Sequence, residues 1–529
     1  MQPHVFSCHH SGTVNLESRH RRHRMEIGFS TVGIVGAGAM GRGIAQIAAE
    51  AGCQVIVFDQ QPEQVSAATE QIRAQWHRQV AKGRRSAQDA HTLFERIHGA
   101  VAMEDLAACD IVVEAIVENL AIKRQLMAQL GKLCPAAVLA TNTSSLSVTA
   151  IASGQDRESH IVGFHFFNPV PLMKVVEVIP GLNTDPAVAP RLCALARAMG
   201  HTPVMALDTP GFIVNHAGRG FVTEALRIHG EQVADFATID QILTDQAGFK
   251  LGPFELMDLT GLDVSHPVME SIYNQFYQEP RYRPSVTTGQ RLTAGVLGRK
   301  TGAGFYRYAE GQIQRPEPVR PPNIAVCPPV WVSPKAARRA DIYRLLKTLN
   351  AHIETAAAPS AQALILVAPL GLDVTTLAAV DQLDPGRTMG IDMLLDDQTT
   401  RRRVLATTPA TRADIRDAAW ALFSRDGKPV SVIRDSGGFV TQRVLAHMVN
   451  IAADMCQQGI CTPTDLDTAV TLGLGYPNGP LHLGDAIGPG NLLEVLFNMQ
   501  TVYGDPRYRP SPWLRRRGAL GLSLLQEEL

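Results

Sequence analysis

The sequence has no long uninterrupted apolar segment, no excess of either charge and no close cysteine pair. Its apolar runs fall well short of the roughly 20 residues that a transmembrane helix needs, so no membrane association is predicted. Lys and Arg number 49 against 50 Asp and Glu, which leaves a net charge of -1 and no global field to recruit nucleic acid. None of the eight cysteines belongs to a CxxC pair, a pattern typical of a cytoplasmic protein in a reducing compartment.

The length of 529 residues predicts two to four domains, and the first residues do not resemble any of them in composition. Residues 1–24 are rich in His, Arg and Ser and contain a single acid, Glu17. They lack the apolar segment of a signal peptide, so residues 1–25 are predicted to form a disordered extension. Met25 offers an alternative start directly before the first predicted strand.

A glycine-rich turn stands between two short apolar runs. Gly36, Gly38 and Gly41 follow the apolar residues 32–35, and a second apolar run, after an apolar-periodic helix candidate, ends on Asp59. This order predicts a Rossmann-type βαβ unit, in which the glycines allow a tight turn, a close approach to pyrophosphate and close helix packing. An acid at the position of Asp59 can accept a hydrogen bond from a ribose 2′-hydroxyl and repels a 2′-phosphate, so the predicted cofactor is NAD.

The chain repeats itself at a nearly constant offset. Asp208-Thr209-Pro210-Gly211-Phe212 returns as Asp435-Ser436-Gly437-Gly438-Phe439. Pro280-Arg281-Tyr282-Arg283-Pro284 returns, with the offset shorter by one position, as Pro506-Arg507-Tyr508-Arg509-Pro510. Because apolar residues between these landmarks recur at helical spacing, the repeat predicts two copies of one all-helical domain.

The segment between the two copies divides into a spacer and a second α/β region. Seven prolines between residues 316 and 334 predict a semi-rigid linker. The region after it contains the buried-strand candidate Leu364-Ile365-Leu366-Val367 but no glycine turn, which indicates a degenerate Rossmann-like domain.

The predicted organisation is thus an α/β Rossmann-type nucleotide domain and an all-α domain, followed by a degenerate α/β segment and a second all-α copy. The predicted boundaries are 26–207 for the nucleotide domain, 208–312 for the first helical domain, 313–334 for the linker, 335–434 for the degenerate domain and 435–529 for the second helical domain.

Longer motifs follow the first nucleotide-binding half in a characteristic order. They are Thr141-Asn142-Thr143-Ser144-Ser145-Leu146, Gly163-Phe164-His165-Phe166-Phe167-Asn168-Pro169, Lys174-Val175-Val176-Glu177-Val178, Thr209-Pro210-Gly211-Phe212-Ile213-Val214-Asn215 and Gly298-Arg299-Lys300-Thr301-Gly302-Ala303-Gly304-Phe305-Tyr306. With these motifs, residues 27–310 resemble the L-3-hydroxyacyl-CoA dehydrogenase family. The two-copy organisation is similar to that of the longer bacterial members, which act on 3-hydroxybutyryl-CoA or on the 3-hydroxyadipyl-CoA of phenylacetate breakdown.

The resemblance implies NAD-dependent oxidation of an acyl-CoA substrate and no metal. Removing the hydroxyl proton requires a base, and imidazole suits this task when a carboxylate orients its other nitrogen. The resemblance assigns these roles to His165 and Glu177, and contacts with the substrate to Ser144 and Asn215. The implied cofactor contacts, in addition to the three glycines and Asp59, are Glu118, Lys123, Asn168 and Lys300.

The second half departs from this pattern. At the offset of the first landmark, Asp392 stands for His165, Val404 for Glu177 and Gln442 for Asn215. Because the base, its carboxylate and the glycine turn are all missing there, the second half is predicted to be a structural partner.

Three further questions stay open in the sequence. The basic cluster of Lys82, Arg84 and Arg85 either pairs with CoA phosphates or is a solvated loop. The two helical copies either pair within one chain as a pseudo-dimer or each pair with a second chain as a homodimer. The alternative functions are a dehydrogenase of a free hydroxy acid or sugar acid, and a catalytically silent NAD-binding protein.

Overall fold

The computed structural model describes residues 28–317, 319–324 and 326–528. The predicted extension, residues 1–25, lies outside the described residues. The chain divides into two compact units, the first ending at Asp208 and the second beginning at Thr209. No helix in the described ranges combines the length and the apolar composition that a membrane crossing requires.

The first unit is built on an eight-stranded sheet whose strand order is β3-β2-β1-β4-β5-β6-β7-β8. All neighbouring strands are parallel except β6 and β7, which are antiparallel. The strands are β1 Thr31–Val35, β2 Gln54–Phe58, β3 Ile97–Gly99, β4 Ile111–Glu114, β5 Val138–Thr141, β6 Ile161–Phe166, β7 Val175–Pro180 and β8 Thr202–Met205. The order reverses at β1, which lies between β2 and β4, and such a reversal opens a crevice at the carboxyl ends of the strands.

Helices cover this sheet, because its central strands are apolar on both faces and are buried on both faces. The helices are α1 Ala39–Glu50, α2 Pro62–Ala81, α3 Ala87–Phe94, α4 Leu120–Leu133, α5 Val148–Ala152 and α6 Val188–Ala198, with short 3₁₀ turns at Met103–Leu106 and Glu158–His160. Side-chain caps start three of them, at Ser86, Asn119 and Ser147, where an oxygen accepts a hydrogen bond from a first-turn backbone amide. The Rossmann-type fold predicted for this half is confirmed.

The second unit opens with the first helical copy. Its helices are α7 Val214–Ala217, α8 Arg219–Gly230, α9 Phe236–Gln246, α10 Pro253–Thr260, α11 Leu262–Gln275 and α12 Val286–Thr293, with 3₁₀ turns at Pro280–Tyr282 and Arg299–Thr301. A hairpin of two strands, β9 Arg307–Ala309 and β10 Gln312–Gln314, follows. The hairpin crosses the boundary predicted at residue 312, so the first copy extends to Gln314.

The predicted linker, 313–334, also ends differently in the structure. Val330–Val332 forms strand β11, which pairs in parallel with the apolar strand β13, Leu364–Val367. These three apolar residues lie between prolines at 329 and 334, and the high proline content of this segment predicts an extended spacer and no strand. The second α/β region therefore begins at Val330 and not at residue 335.

A six-stranded sheet forms this region, in the order β12-β11-β13-β14-β15-β16. Its other strands are β12 Ile353–Glu354, β14 Thr388–Ile391, β15 Arg403–Thr407 and β16 Val430–Ile433, and its helices are α13 Arg339–Thr348, α14 Val374–Val380 and α15 Ala413–Phe423. The run from β13 to β16, with its single antiparallel pair β14–β15, repeats the run from β5 to β8. The second sheet thus corresponds to the later part of the first, without the glycine-turn βαβ unit.

The second helical copy follows and packs on the first within the same unit. Its helices are α16 Thr441–Gln457, α17 Pro463–Leu474, α18 Pro480–Ile487, α19 Pro489–Tyr503 and α20 Pro512–Leu520, with a 3₁₀ turn at Pro506–Tyr508. Helix α16 lies against α8, and nearly all of its residues are buried. The pairing of the two copies is therefore present inside one chain.

A buried ionic cluster holds the two copies together. Glu224 of α8 accepts a hydrogen bond of 2.8 Å from Arg443 Nε of α16 and another of 2.8 Å from the Tyr508 hydroxyl. Arg507 Nε lies 3.3 Å from its second oxygen. Burial opposes ionisation of Glu224, but Arg507 and Arg443 hold its pKa well below the usual range. The cluster joins groups from both copies and loses its balance of charge if either is removed.

Candidate active site

The glycine turn has the backbone geometry that a dinucleotide-binding unit requires. Gly36 has φ +100°, and a Cβ there would lie 2.7 Å from the carbonyl oxygen of Ala115. A Cβ on Gly41 would lie 1.8 Å from the carbonyl oxygen of Gly36, so only glycine lets α1 pack this close. A Cβ on Gly38 would meet nothing within 4 Å, which leaves open space beside the start of the helix. Backbone amides at that start are available for phosphate oxygens.

Asp59 closes the turn from the end of β2. One carboxylate oxygen accepts a hydrogen bond of 2.8 Å from the amide of Ala37, and the other accepts one of 3.0 Å from the amide of Gln61. Asp59 also lines a cavity of about 460 Å³, together with Gly36, Gly38 and apolar residues of α4 such as Leu126. The cavity lies at the carboxyl ends of β1, β2 and β4, and its size, turn and acid fit the ribose and base of a dinucleotide.

A buried chain of charges lies beside this cavity. Glu114, at the end of β4, is fully buried and accepts hydrogen bonds of 2.8 and 2.9 Å from the ammonium group of Lys123. It also accepts from the hydroxyl of Thr141 and from the amide of Ile116. The same ammonium lies 3.4 Å from Glu118, so Lys123 joins the two acids. Lys123 is therefore buried between carboxylates.

Glu118 fastens the turn that carries Ser144. Its Oε1 accepts hydrogen bonds of 2.9 and 3.0 Å from the backbone amides of Ser144 and Ser145, and one of 2.6 Å from the hydroxyl of Thr143. Burial opposes its ionisation, but the Thr143 hydroxyl and the Lys123 charge hold its pKa below the ordinary value. The ionised carboxylate thus fixes the backbone after β5.

His165 and Glu177 face each other across the antiparallel strands β6 and β7. The imidazole Nδ1 and Glu177 Oε2 are 2.5 Å apart, and both side chains are buried. A carboxylate at Nδ1 favours the tautomer that carries its hydrogen there, and it stabilises the positive charge of a protonated ring. The pair can therefore accept a proton at Nε2. The antiparallel register brings the two residues together, although they are separated by 12 positions in the sequence.

The remaining predicted cofactor and substrate residues lie in different surroundings. Asn168 is exposed shortly after β6 in the first unit. Asn215 and Lys300 belong to the second unit, where Lys300 forms an ion pair with Asp263. Their assigned contacts stay predictions.

The basic cluster follows α2. Lys82 and Arg84 are exposed, whereas Arg85 is half-buried and donates a hydrogen bond of 3.0 Å to Gln79. Arg85 also lies 3.3 Å from a carboxylate oxygen of Glu50. Arg85 therefore already has partners within the protein.

The second half shows how the corresponding cleft is filled. Gln442 Nε2 donates a hydrogen bond of 2.9 Å to Asp392, and its Oε1 accepts one of 2.8 Å from the amide of Gly371, the residue that stands for Ser144. A third bond, of 3.1 Å, goes to the carbonyl of Pro369. Gln442, at the position that stands for Asn215, thus bridges the positions that stand for His165 and Ser144 by hydrogen bonds.

Sequence reasoning missed Glu114 and Thr143. Each lies next to a predicted residue, and Glu114 had a detectable signal, an acid that ends the otherwise apolar strand Ile111-Val112-Val113-Glu114. An acid in such a buried place requires a cationic partner. In the part of the chain that the structure describes, no group of three or more His, Cys, Asp or Glu side chains is placed to hold a metal ion.

Two family profiles account for most of the chain. The NAD-binding domain of 3-hydroxyacyl-CoA dehydrogenase matches residues 31–209, and the C-terminal domain of the same family matches twice, over 211–308 and 438–523. The chain belongs to the 3-hydroxyacyl-CoA dehydrogenase family. The resemblance noted in the sequence is confirmed, and the activity is NAD-dependent oxidation of a 3-hydroxyacyl-CoA.

Similar proteins cover the whole chain or its first half. The 3-hydroxyadipyl-CoA dehydrogenase of Escherichia coli K12 is 36% identical, across 94% of this chain and 99% of its own. A crystal structure of 3-hydroxybutyryl-CoA dehydrogenase from the same species superimposes with a TM-score of 0.80 at 35% identity, across 93% of this chain and 98% of that one. Human mitochondrial hydroxyacyl-coenzyme A dehydrogenase is 37% identical and matches 52% of this chain and 90% of its own. Relatives with one helical copy thus correspond to the first half alone.

Proposed function

We propose that this family member oxidises the 3-hydroxyl of a short 3-hydroxyacyl-CoA, with His165 as the general base and Glu177 as the group that orients it. The observation that supports this most directly is the buried 2.5 Å contact between His165 Nδ1 and Glu177 Oε2. A buried imidazole with a carboxylate behind it is suited to take up a proton at its other nitrogen.

The proton and the hydride leave in different directions. His165 Nε2 takes the hydroxyl proton, and the negative charge of Glu177 stabilises the imidazolium that forms. NAD⁺, when bound, supplies the hydride acceptor. In the reverse direction the imidazolium returns the proton to the carbonyl oxygen.

Ser144 and Asn215 are proposed to contact the substrate around the reacting carbon. Both the amide and the hydroxyl of Ser144 donate to the ionised Glu118, the hydroxyl over 3.3 Å, so the residue is held in place before the substrate arrives. A donor held in place in this way stabilises charge on the reacting oxygen without reorganisation.

The cofactor is proposed to lie against Gly36, Gly38 and Gly41, with Asp59 reading the 2′-hydroxyl. The open space at Gly38 and the cavity beside Asp59 support this. The further proposed contacts of the cofactor are Glu118, Lys123, Asn168 and Lys300. For the CoA phosphates we propose Lys82 and Arg84, which are exposed, with Arg85 contributing less because it already has partners.

The proposed acyl group has four to six carbons. Two relatives that match the chain over nearly its full length are named for 3-hydroxyadipyl-CoA and 3-hydroxybutyryl-CoA. A cytoplasmic site of action, in fatty-acid or phenylacetate breakdown, is proposed from the resemblance to the longer bacterial family members and from the lack of CxxC pairs.

The test is a set of matched assays of NADH formation. The full chain is supplied with NAD⁺ and either L-3-hydroxybutyryl-CoA, free 3-hydroxybutyrate or no substrate. Turnover with the thioester alone is expected. Equal turnover of the free acid would support a hydroxy-acid dehydrogenase instead, and NAD binding without turnover of either would indicate a silent binding protein.

A further inference from the structure

A guanidinium in the first helical copy has no carboxylate partner among the residues that the structure describes. Arg219, the first residue of α8, is largely enclosed, and its Nε donates a hydrogen bond of 2.8 Å to the carbonyl oxygen of Asn215. Its Nη1 is buried and has no hydrogen-bond partner among the residues that the structure describes. Burial and the hydroxyl of Tyr476 act on its charge, and no carboxylate of the described ranges does so. Enclosing a cation without an anion is costly, so such a group indicates a missing ligand.

The position of Arg219 connects it with the substrate. Arg219 and Asn215 are four residues apart across the continuous helical turn formed by α7 and α8, and residues at this spacing share a face. Four residues rise about 6 Å along a helix. Asn215 is the residue proposed to contact the substrate near its reacting carbon. A group three carbon–carbon bonds beyond that carbon, each about 1.5 Å long, therefore falls in the range of the guanidinium.

The surroundings of Arg219 come from both copies. Tyr476, which follows α17 of the second copy, is close enough to influence its charge, and burial lowers the pKa of Arg219 to about 10, which still leaves it protonated at neutral pH. The Tyr476 ring packs 5.1 Å from the ring of Phe249 and 5.6 Å from that of Phe221, both in the first copy. These rings form an apolar wall next to one cation. Such a wall suits a short methylene chain that ends in an anion.

The second copy supplies an internal comparison. The position that stands for Arg219 there is Ala446, which is buried in α16. The cation therefore occurs in the copy that carries Asn215 and is replaced in the copy whose cleft is closed by Gln442.

We propose that Arg219 binds a carboxylate at the far end of the acyl chain, so that the enzyme selects 3-hydroxyacyl-CoA thioesters of dicarboxylic acids. This inference rests on the proposed function, because it takes the contact of Asn215 with the substrate from it. A guanidinium matches a carboxylate with two parallel hydrogen bonds, and a neutral methyl terminus leaves it unsatisfied. The CoA moiety, with its own phosphates, remains at the solvent end of the thioester.

The test compares two six-carbon substrates that differ at one end. L-3-Hydroxyadipyl-CoA ends in a carboxylate, and L-3-hydroxyhexanoyl-CoA ends in a methyl group. We expect the full chain to prefer the former in kcat/KM, and Arg219→Gln to reduce that preference by about 10-fold to 100-fold, the range of one charge-assisted hydrogen-bonded pair. Arg219→Lys keeps the charge without the planar fork and should retain part of the preference.

The control and the contrary outcomes are distinct from those of the proposed function. Arg344→Gln removes an exposed arginine of α13 that pairs with Asp341, and it should leave the substrate ratio unchanged. An equal loss with both substrates in Arg219→Gln would mean a structural role or a contact with the shared CoA moiety, and would overturn the inference. If the unaltered chain oxidises neither thioester, the proposed function itself is wrong.

Discussion

His165 and Glu177 make the most direct prediction at the scale of single residues. His165→Ala should lower kcat by about 100-fold or more, because general-base catalysis contributes on that order. Glu177→Gln keeps the size of the side chain but removes the charge behind the ring, so it should also lower kcat and shift the pH profile of kcat/KM. Both are measured by steady-state NADH formation, with NADH affinity followed by fluorescence. His98→Ala, at an exposed histidine of β3, is the matched control, and turnover of His165→Ala equal to wild type would remove His165 from the mechanism.

The negative charge of Asp59 leads to a prediction about the preference for NAD⁺ over NADP⁺. Asp59→Asn keeps an acceptor for the amide of Ala37 but removes the negative charge, so it should relax discrimination against NADP⁺. We expect the ratio of kcat/KM for NAD⁺ over NADP⁺ to fall by at least about 10-fold, as for the loss of one charged hydrogen bond. Asp59→Ala removes the acceptor as well and should also weaken NAD⁺ binding. An unchanged ratio in both variants would mean that another residue reads the ribose.

Substitutions of Glu114 test whether the buried ion pair with Lys123 stabilises the fold and the turn that carries Ser144. Glu114→Gln leaves the buried Lys123 without its main partner, and breaking a buried pair in this way costs about 3 kcal/mol of folding free energy. Lys123 is then drawn to Glu118, which loosens the Ser144 turn, so kcat should fall more than KM rises. The double variant Glu114→Gln with Lys123→Met removes both charges and should recover stability in urea unfolding, though not kcat. Additive losses of stability in the double variant would show that the two residues are not coupled.

At the scale of elements, Asp392 at the end of β14 predicts an inverted pH dependence of stability. Burial raises its pKa to about 6, with Gln442 and the Leu394 amide acting in the opposite direction. A raised carboxyl pKa means that the folded state holds the proton more tightly, so this residue makes stability fall as the pH rises from about 4 to about 6. Asp392→Asn keeps the acceptor for Gln442 and removes the titration. It should stabilise the chain by about 1–3 kcal/mol at neutral pH and by little at acid pH.

Thermal unfolding across this pH range checks the prediction for Asp392. NADH formation should be unaffected, because the second half lacks the residues assigned to catalysis. A variant that is less stable than wild type at neutral pH would contradict the raised pKa of Asp392. Asp435→Asn is the control, at a half-buried acid whose two oxygens accept from the amides of Val374 and Thr375, because the amide side chain keeps only one of these two acceptors.

The sequence predicted some elements well and others poorly, for identifiable reasons. The glycine turn and Asp59 were found because their spacing is set by local geometry, and the helical repeat because its landmarks recur at one offset. Strand β11 was missed because three residues between prolines carry no periodicity, and their pairing with β13 is nonlocal. Glu114 and the bond between Gln442 and Asp392 depend on side chains meeting across elements, which spacing along the chain does not report.

At the scale of the whole molecule, the packing of α16 on α8 predicts that the first half depends on the second. A chain that ends at Arg315 keeps the hairpin β9–β10 but exposes the apolar face of α8 and leaves Glu224 without Arg443 and Arg507. We expect this shortened chain to aggregate or to lose most of its stability, since an unpaired buried acid and an exposed apolar face both oppose folding.

Gel filtration, thermal unfolding and NADH formation measure the effect of this truncation. The full chain with Glu224→Gln separates the loss of the charge cluster from the loss of the apolar contact, and it should be destabilised but not aggregated. A shortened chain that stays monomeric, soluble and fully active would show that the second half is dispensable.

The ionic cluster between the copies also determines which surfaces recognise each other. Glu224 of α8, in the first copy, contacts Arg443 of α16, in the second copy. The position of Glu224 corresponds to Ile451 in the second copy, and the position of Arg443 corresponds to His216 in the first. A symmetric homodimer brings a surface against itself, so two second copies would place Arg443 opposite Ile451 and bury an unmatched cation. The surface that one copy presents to the other is therefore not self-complementary at these positions, and the two copies form a heterologous pair within one polypeptide.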